Sequence, residues 1–132
     1  MSNDIPQDLV YTKDHEWAKV DGAQITVGIT AFAVEQLGDI TLVTIDAKPG
    51  DTLTAGKAFG TIESVKTLSD LYAPISGKLV KINDALDKSP ELVNEECYGK
   101  GWMVVIEAAD KAEVDKLMTA AAYGEHVKAS AH

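Results

Sequence analysis

Hydrophobic residues in this chain recur mostly at every second position, the spacing of strands with one buried face. The segment from Tyr11 to Val20 alternates loosely and carries aromatic and β-branched residues, which predicts a strand. Asp21-Gly22 is a two-residue turn signal. Ile25, Val27 and Ile29 then alternate with Thr26, Gly28 and Thr30, so the two segments form a hairpin. The period changes at Thr30, which can cap a short helix through Phe32, Val34 and Leu37. Ile29 and Val34 have hydrophobic-staple spacing, and Gly38 supplies a left-handed stop. Ile40, Leu42, Val43 and Ile45 predict another strand, closed by a Pro49-Gly50 turn.

The middle of the chain is a second hairpin. Phe59, Thr61 and Ile62 lie on its upstream arm, Leu68, Leu71 and Tyr72 on its downstream arm, and Lys66 stands at or beside the tip. Pro74 to Gly77 is a further turn. Lys78 to Asn83 is a strand in which Leu79 and Lys81 alternate while Val80 and Ile82 face the other way. Ser89-Pro90 has the form of an N-cap followed by proline at the first helical position, which starts a short helix through Leu92 and Val93. Trp102 to Ile106 is nearly all apolar, as in a buried strand. Asp110 and Glu113 have capping-box spacing. Val114, Leu117, Met118 and Ala121 follow at helical intervals, and Gly124 ends that helix. Residues 125–132 lack periodicity and are expected to be a flexible tail. Short strands with glycine and proline turns, plus one terminal helix, predict a mainly β fold. Residues 1–124 are expected to form one small antiparallel sandwich or barrel.

Composition narrows the functions available. A chain of 132 residues is one domain's worth and can bury roughly two-thirds of its unfolded surface. Its single cysteine, Cys97, cannot form an internal disulfide, which fits a reducing compartment. The chain holds no apolar run that would span a bilayer. Its start is polar and acidic, so a cytoplasmic protein, or a processed mature form, is expected. Net charge is −9, and all twelve basic residues are lysines. Lacking guanidinium clamps and carrying excess negative charge, the chain is not expected to bind nucleic acid or an anionic membrane. Partners with basic docking faces suit it better.

A self-sufficient active site is not legible. His15-Glu16 could open a zinc-binding helix, but the second histidine would fall at Lys19, and the segment reads as a strand. His126 and His132 lie in the expected tail. Cys97 has no metal-ligand company. The serines show no nucleophile-elbow pattern. Such a protein presents a group rather than performing a reaction. Lys66 is a candidate to present it. A lysine on a turn is most often only a solubilising charge. At a hairpin tip, however, its amine can be grasped by another enzyme, and acylation would replace its charge with a new group on a long stem.

The residues around Lys66 carry a resemblance. Glu63-Ser64-Val65-Lys66 with Ser69-Asp70 and Ala73-Pro74-Ile75-Ser76-Gly77 resembles the lipoyl-attachment motif of the glycine cleavage system H protein family. So do His15-Glu16-Trp17, Val27-Gly28-Ile29-Thr30, Leu37-Gly38-Asp39, Pro90-Glu91-Leu92-Val93-Asn94 and Tyr98-Gly99-Lys100-Gly101-Trp102, in the same order. The resemblance runs from about Tyr11 to Tyr123. Biotin carriers share the hairpin but typically flank the lysine with methionines; here the flanks are Val65 and Thr67.

The resemblance implies a barrel-sandwich hybrid of lipoyl-domain type and a non-catalytic carrier with lipoic acid in amide linkage to Lys66. Its arm would take an aminomethyl group from glycine decarboxylase to aminomethyltransferase and be reoxidised by dihydrolipoamide dehydrogenase. A lipoylating enzyme would load it, and the carrier would be a monomer. Glu63 would be a recognition mark for that enzyme, or else an ordinary exposed strand carboxylate. Glu16 and Asp70, with help from Asp14, would line the cleft where the loaded arm parks; the alternative for all three is a solvated carboxylate. Trp17 and Trp102 are expected in the core. Two other readings differ in function: a lipoyl donor to other complexes, and an unmodified interaction module. The chain departs from the family pattern at Cys97, where proline is common, at Asp46-Ala47-Lys48-Pro49-Gly50, and at Leu68, which is larger than the usual residue.

Overall fold

The computed structural model describes residues 5–130. Two antiparallel sheets face each other. The larger is six-stranded, in the order β1-β2-β3-β9-β8-β5, and is built from β1 (Val10–Tyr11), β2 (Glu16–Asp21), β3 (Gln24–Ile29), β5 (Thr52–Leu53), β8 (Gly77–Ile82) and β9 (Val104–Ala108). The smaller is three-stranded, in the order β4-β6-β7, from β4 (Ile40–Ile45), β6 (Ala58–Ser64) and β7 (Leu68–Tyr72). Helices are short: α1 (Ala31–Leu37), α2 (Ala85–Lys88), α3 (Leu92–Glu95), α4 (Lys111–Asp115) and α5 (Ala120–Ser130). The fold is therefore mainly β with short helices and a C-terminal helix, as the pattern predicts.

The alternating positions supply the main core. Ile25, Val27 and Ile29 of β3 pack with Ile62, Leu71, Leu79 and Ile106, all at most 3 % exposed. A second cluster, with Leu9, Tyr11, Trp17, Phe32, Tyr123 and Val127, joins α5 to the β1–β2 edge. Trp17 is buried, and its indole N–H donates to the Cys97 carbonyl at 2.8 Å. Gly28 lies beneath that ring: a Cβ there would sit 2.6 Å from the indole, which accounts for the glycine within a strand. Trp102 is only half-buried, with the Lys81 ammonium 5.7 Å from its ring. Cys97 is buried.

Predicted boundaries hold where local chemistry sets them. The Thr30 hydroxyl caps α1 by accepting from the Ala33 N–H, and Gly38 ends the helix at φ 83°. They move where long-range contacts compete. The strand expected over Tyr11–Val20 is broken. The Thr12 hydroxyl accepts from the N–H groups of Asp14 and Glu16, offering the backbone a turn instead of a ladder, and His15 takes φ 66°. The conflict between Val80 and its neighbours resolves as a bulge between Leu79 and Lys81, which leaves Leu79 buried and Val80 exposed. The expected helix from Ser89-Pro90 starts later, as α3, and has no side-chain cap. The buried strand expected over Trp102–Ile106 runs instead over Val104–Ala108.

The C-terminal prediction is corrected in three respects. Asp110 caps α4, but Glu113 does not close the capping box, because its carboxylate accepts from the Ser76 N–H at 2.7 Å. The helix also stops early, because Met118 pairs with Tyr11 through two backbone bonds of 2.8 Å. It restarts as α5 and passes through Gly124 to Ser130, where an irregular tail was expected. Burial of Tyr123 and Val127 on either side of Gly124 outweighs the glycine's helix cost of about 1 kcal/mol. Of the expected tail, Ala131 and His132 lie outside the described residues.

Candidate functional site: a lysine tip beside an acidic cleft

β6 and β7 form the predicted hairpin, with Val65, Lys66 and Thr67 at its tip. The turn is tied from inside. Buried Ser64 accepts on its hydroxyl from the N–H groups of Lys66 and Thr67, each at 3.2 Å, and its own N–H donates to the Thr67 carbonyl at 2.8 Å. It is also tied from outside. The Val65 N–H donates to the Asp39 carbonyl at 3.0 Å. The Asn94 side chain clamps the segment around Asp39, donating to the Gly38 carbonyl at 3.0 Å and accepting from the Ile40 N–H at 2.8 Å. The backbone of Lys66 is therefore fixed while its side chain is exposed. That side chain runs along Gly38, where a Cβ would come within 3.3 Å of the lysine Cε.

Glu63 projects beside the tip. It pairs with Leu42 on one side and Leu68 on the other, so the three share one row across the small sheet. All three are exposed, Leu42 at 45 % and Leu68 at 60 %. This fits a carboxylate displayed between two apolar neighbours.

A cleft of about 350 Å³ opens between α1, the Thr12–Glu16 turn and β7. Ile29, Phe32, Leu37, Ile62 and Leu71 give it an apolar lining, and Asp14, Glu16 and Asp70 add carboxylates. The structure thus brings three of the predicted site residues to one cavity, in different surroundings. Asp14 and Asp70 are exposed. Glu16 is 3 % exposed, so the solvated alternative fails for it. Its Oε2 accepts from the Tyr72 N–H at 2.8 Å, while its Oε1 has no partner among the described residues. Burial pushes its pKa up to about 8. The Tyr72 N–H opposes that shift and the Asp14 charge adds to it. A buried carboxyl group with one unused oxygen beside an apolar cleft carries an unmet hydrogen-bond demand, which a donor, best of all a cationic one, would satisfy.

Comparison with known proteins gives the family. The family model described as glycine cleavage H-protein matches residues 9–130. The chain belongs to the glycine cleavage H-protein family. A relative named glycine cleavage system H protein in Bacillus pumilus (strain SAFR-032) is 52% identical over 123 residues, 93% of this chain and 96% of that one. One of the same name in Myxococcus xanthus (strain DK1622) is also 52% identical over 123 residues, covering 93% and 95%. A crystal structure of a family member from Mycobacterium marinum superposes with a TM-score of 0.83 at 38% identity, covering 97% of this chain and all of that one.

Within the family frame, four residues that shape the site were not singled out from sequence. Ser64 and Asn94 stand inside quoted motifs, and Ser-x-x-Thr at a turn is a readable side-chain cap. His15 also stands inside a quoted motif, but its link to Tyr123 gave no such signal, because the two lie far apart along the chain. A second hollow, about 720 Å³, lies on the other flank of α1 and is lined by Glu35, Asp39, Glu96 and Cys97 among others. Among the described residues no His, Cys, Asp and Glu cluster could hold a metal ion, and no helix is long and apolar enough to cross a membrane.

Proposed function

We propose that this chain is the non-catalytic lipoyl carrier of a glycine cleavage system, with lipoic acid on Lys66. The observation that carries the reading is an exposed lysine on a hairpin tip whose backbone is pinned by Ser64, Asp39 and Asn94. A fixed root makes a tethered group available at high local concentration to each partner. When bound, the lipoyl group supplies a disulfide that takes up and releases an aminomethyl group. The protein's own contribution is to root it, shelter its cargo and present recognition features.

The cleft fits the group. Its apolar lining suits an aliphatic arm, and the unused Glu16 oxygen suits an amine. Glu16 would hold the cargo amine by a charge-assisted hydrogen bond, with Asp70 and Asp14 adding field at the rim and excluding no water themselves. Water kept from the apolar floor would slow loss of the cargo. Glu63, between Leu42 and Leu68, would be the mark read by the lipoylating enzyme. The partners in turnover are glycine decarboxylase, aminomethyltransferase and dihydrolipoamide dehydrogenase, in the cytoplasm, with the carrier as a monomer. Residues 1–124 carry the lipoyl domain in this reading.

Incubation with lipoate, ATP and a lipoate ligase, followed by intact mass and peptide mapping, tests it. The parent chain is expected to gain one lipoyl group on Lys66. The Lys66→Arg variant is expected to keep its fold, gain nothing and support no glycine decarboxylation. An unmodified parent, alongside a control lipoyl domain that is modified, would overturn the assignment.

A further inference from the structure

Non-glycine residues rarely hold a left-handed backbone, and they do so where surrounding contacts over-determine it. His15 is the one such residue among those described, and it lines the cleft next to Glu16. Its contacts come from the far end of the chain. Its Nδ1 is 2.8 Å from the Tyr123 hydroxyl, which lies 2.7 Å from the Thr30 hydroxyl. Thr30 is the N-cap of α1, and its N–H donates to the His15 carbonyl at 3.0 Å. Tyr123 is fully buried, its ring stacked on Tyr11 with centroids 4.6 Å apart. Burial raises its phenol to about 12, so the hydroxyl keeps its proton. The His15 ring also packs on Phe32 at 4.7 Å and on His126 at 5.3 Å.

We propose that Tyr123 is a positioning residue for the cleft. Its hydroxyl joins the turn that carries Glu16 to the N-cap of α1, and so sets the distance between the two walls that would receive the loaded arm. The inference rests on the parking of the arm in this cleft. It adds that the C-terminal helix belongs to the site although it is not among the cleft's lining residues. Hydrogen bonding to a cargo amine is sensitive to displacements well below an ångström, so a loosened wall would cost protection even with Glu16 intact.

The Tyr123→Phe variant removes the hydroxyl and keeps the ring. Two readouts follow it in the full chain. In the unlipoylated protein, a ¹³C-carboxyl NMR titration of Glu16 is expected to move down toward the ordinary glutamate range by about one pH unit or more, as water enters the loosened cleft. Asp14, Asp70 and His15 face the same cavity and are titrated alongside. In the lipoylated protein carrying its aminomethyl cargo, spontaneous ammonia release is expected to be about five- to tenfold faster, the scale of one lost hydrogen bond. His15→Asn accepts the left-handed backbone and offers an amide to Tyr123, so it is expected to release cargo more slowly than His15→Ala. A Glu16 titration unchanged in Tyr123→Phe, or equal release from Asn and Ala variants at His15, would overturn the proposal. Glu16→Gln separates the two levels. If it leaves release unchanged, the parking reading fails. If it speeds release while Tyr123→Phe does not, only the positioning role fails.

Discussion

Glu16 is the residue where folding and the proposed function pull against each other. A buried carboxyl group with one unsatisfied oxygen costs stability in its charged form, and a hydrophobic residue would cost less. The sign of its effect on stability follows from its shift. Its pKa is raised to about 8 in the folded chain from 4.5. The folded state therefore binds more protons than the unfolded one between those values. The stability this gives is complete below pH 4.5 and is lost as pH rises through 8. Glu16→Gln keeps the shape and removes the titration. Chemical denaturation across that window is expected to show the parent losing a few kcal/mol relative to the variant. Parallel curves would mean that Glu16 titrates normally. The same physics gives the site a use: a carboxyl group that resists ionising alone ionises readily once a cationic amine arrives.

At the scale of elements, α5 is the piece whose docking depends on pH in the opposite sense. Burial lowers the pKa of His15, with the nearby His126 adding to the effect and Asp14 opposing it. The folded state then favours the neutral ring. The contribution is present above the unfolded value of 6.5 and is lost as pH falls toward the lowered one. Amide hydrogen exchange at pH 7 and at pH 5.5 is expected to show α5 and the Thr12–Glu16 turn losing protection, while β3, β8 and β9 keep theirs. Uniform change would show that the helix unfolds only with the whole protein. α5 is also the element least legible in the sequence. The hairpins, the Thr30 cap and the Gly38 stop were readable because each is decided within a few residues. The break at Met118, the turn at Thr12 and the passage through Gly124 were not, because Tyr11, Tyr123 and the β1 edge decide them across the length of the chain. The site divides in the same way. Lys66, Glu63, Glu16 and Asp70 were picked out as candidates through motif, and Asp14 as a neighbour of one. The burial that sets Glu16 apart from Asp14 and Asp70 exists only once β7 and α1 have closed around it.

Over the whole molecule, charge is the property that partners meet first. A net charge of −9 with no arginine leaves the surface acidic, and carboxylates gather around the proposed arm: Asp14 and Asp70 at the cleft, Glu63 beside the tip, Glu35 and Asp39 on the flank of α1 facing the second hollow. Such a surface attracts basic docking faces and accelerates encounter more than it strengthens the final complex. A carrier that must leave each partner benefits from fast arrival without tight binding. Raising ionic strength from about 0.05 M to about 0.5 M shrinks the screening length several-fold and is expected to lower the association rate with the proposed partner, glycine decarboxylase, by roughly tenfold or more, with little change in turnover at saturation. Position separates steering from general acidity. Neutralising Glu63 and Asp70 together is expected to flatten the salt dependence. Asp21→Asn, at the opposite end of β2 from Glu16, is expected to leave it unchanged. A salt response that ignores both changes would mean that the acidic surface serves solubility and that docking is read by shape at the exposed Leu42, Val65 and Leu68.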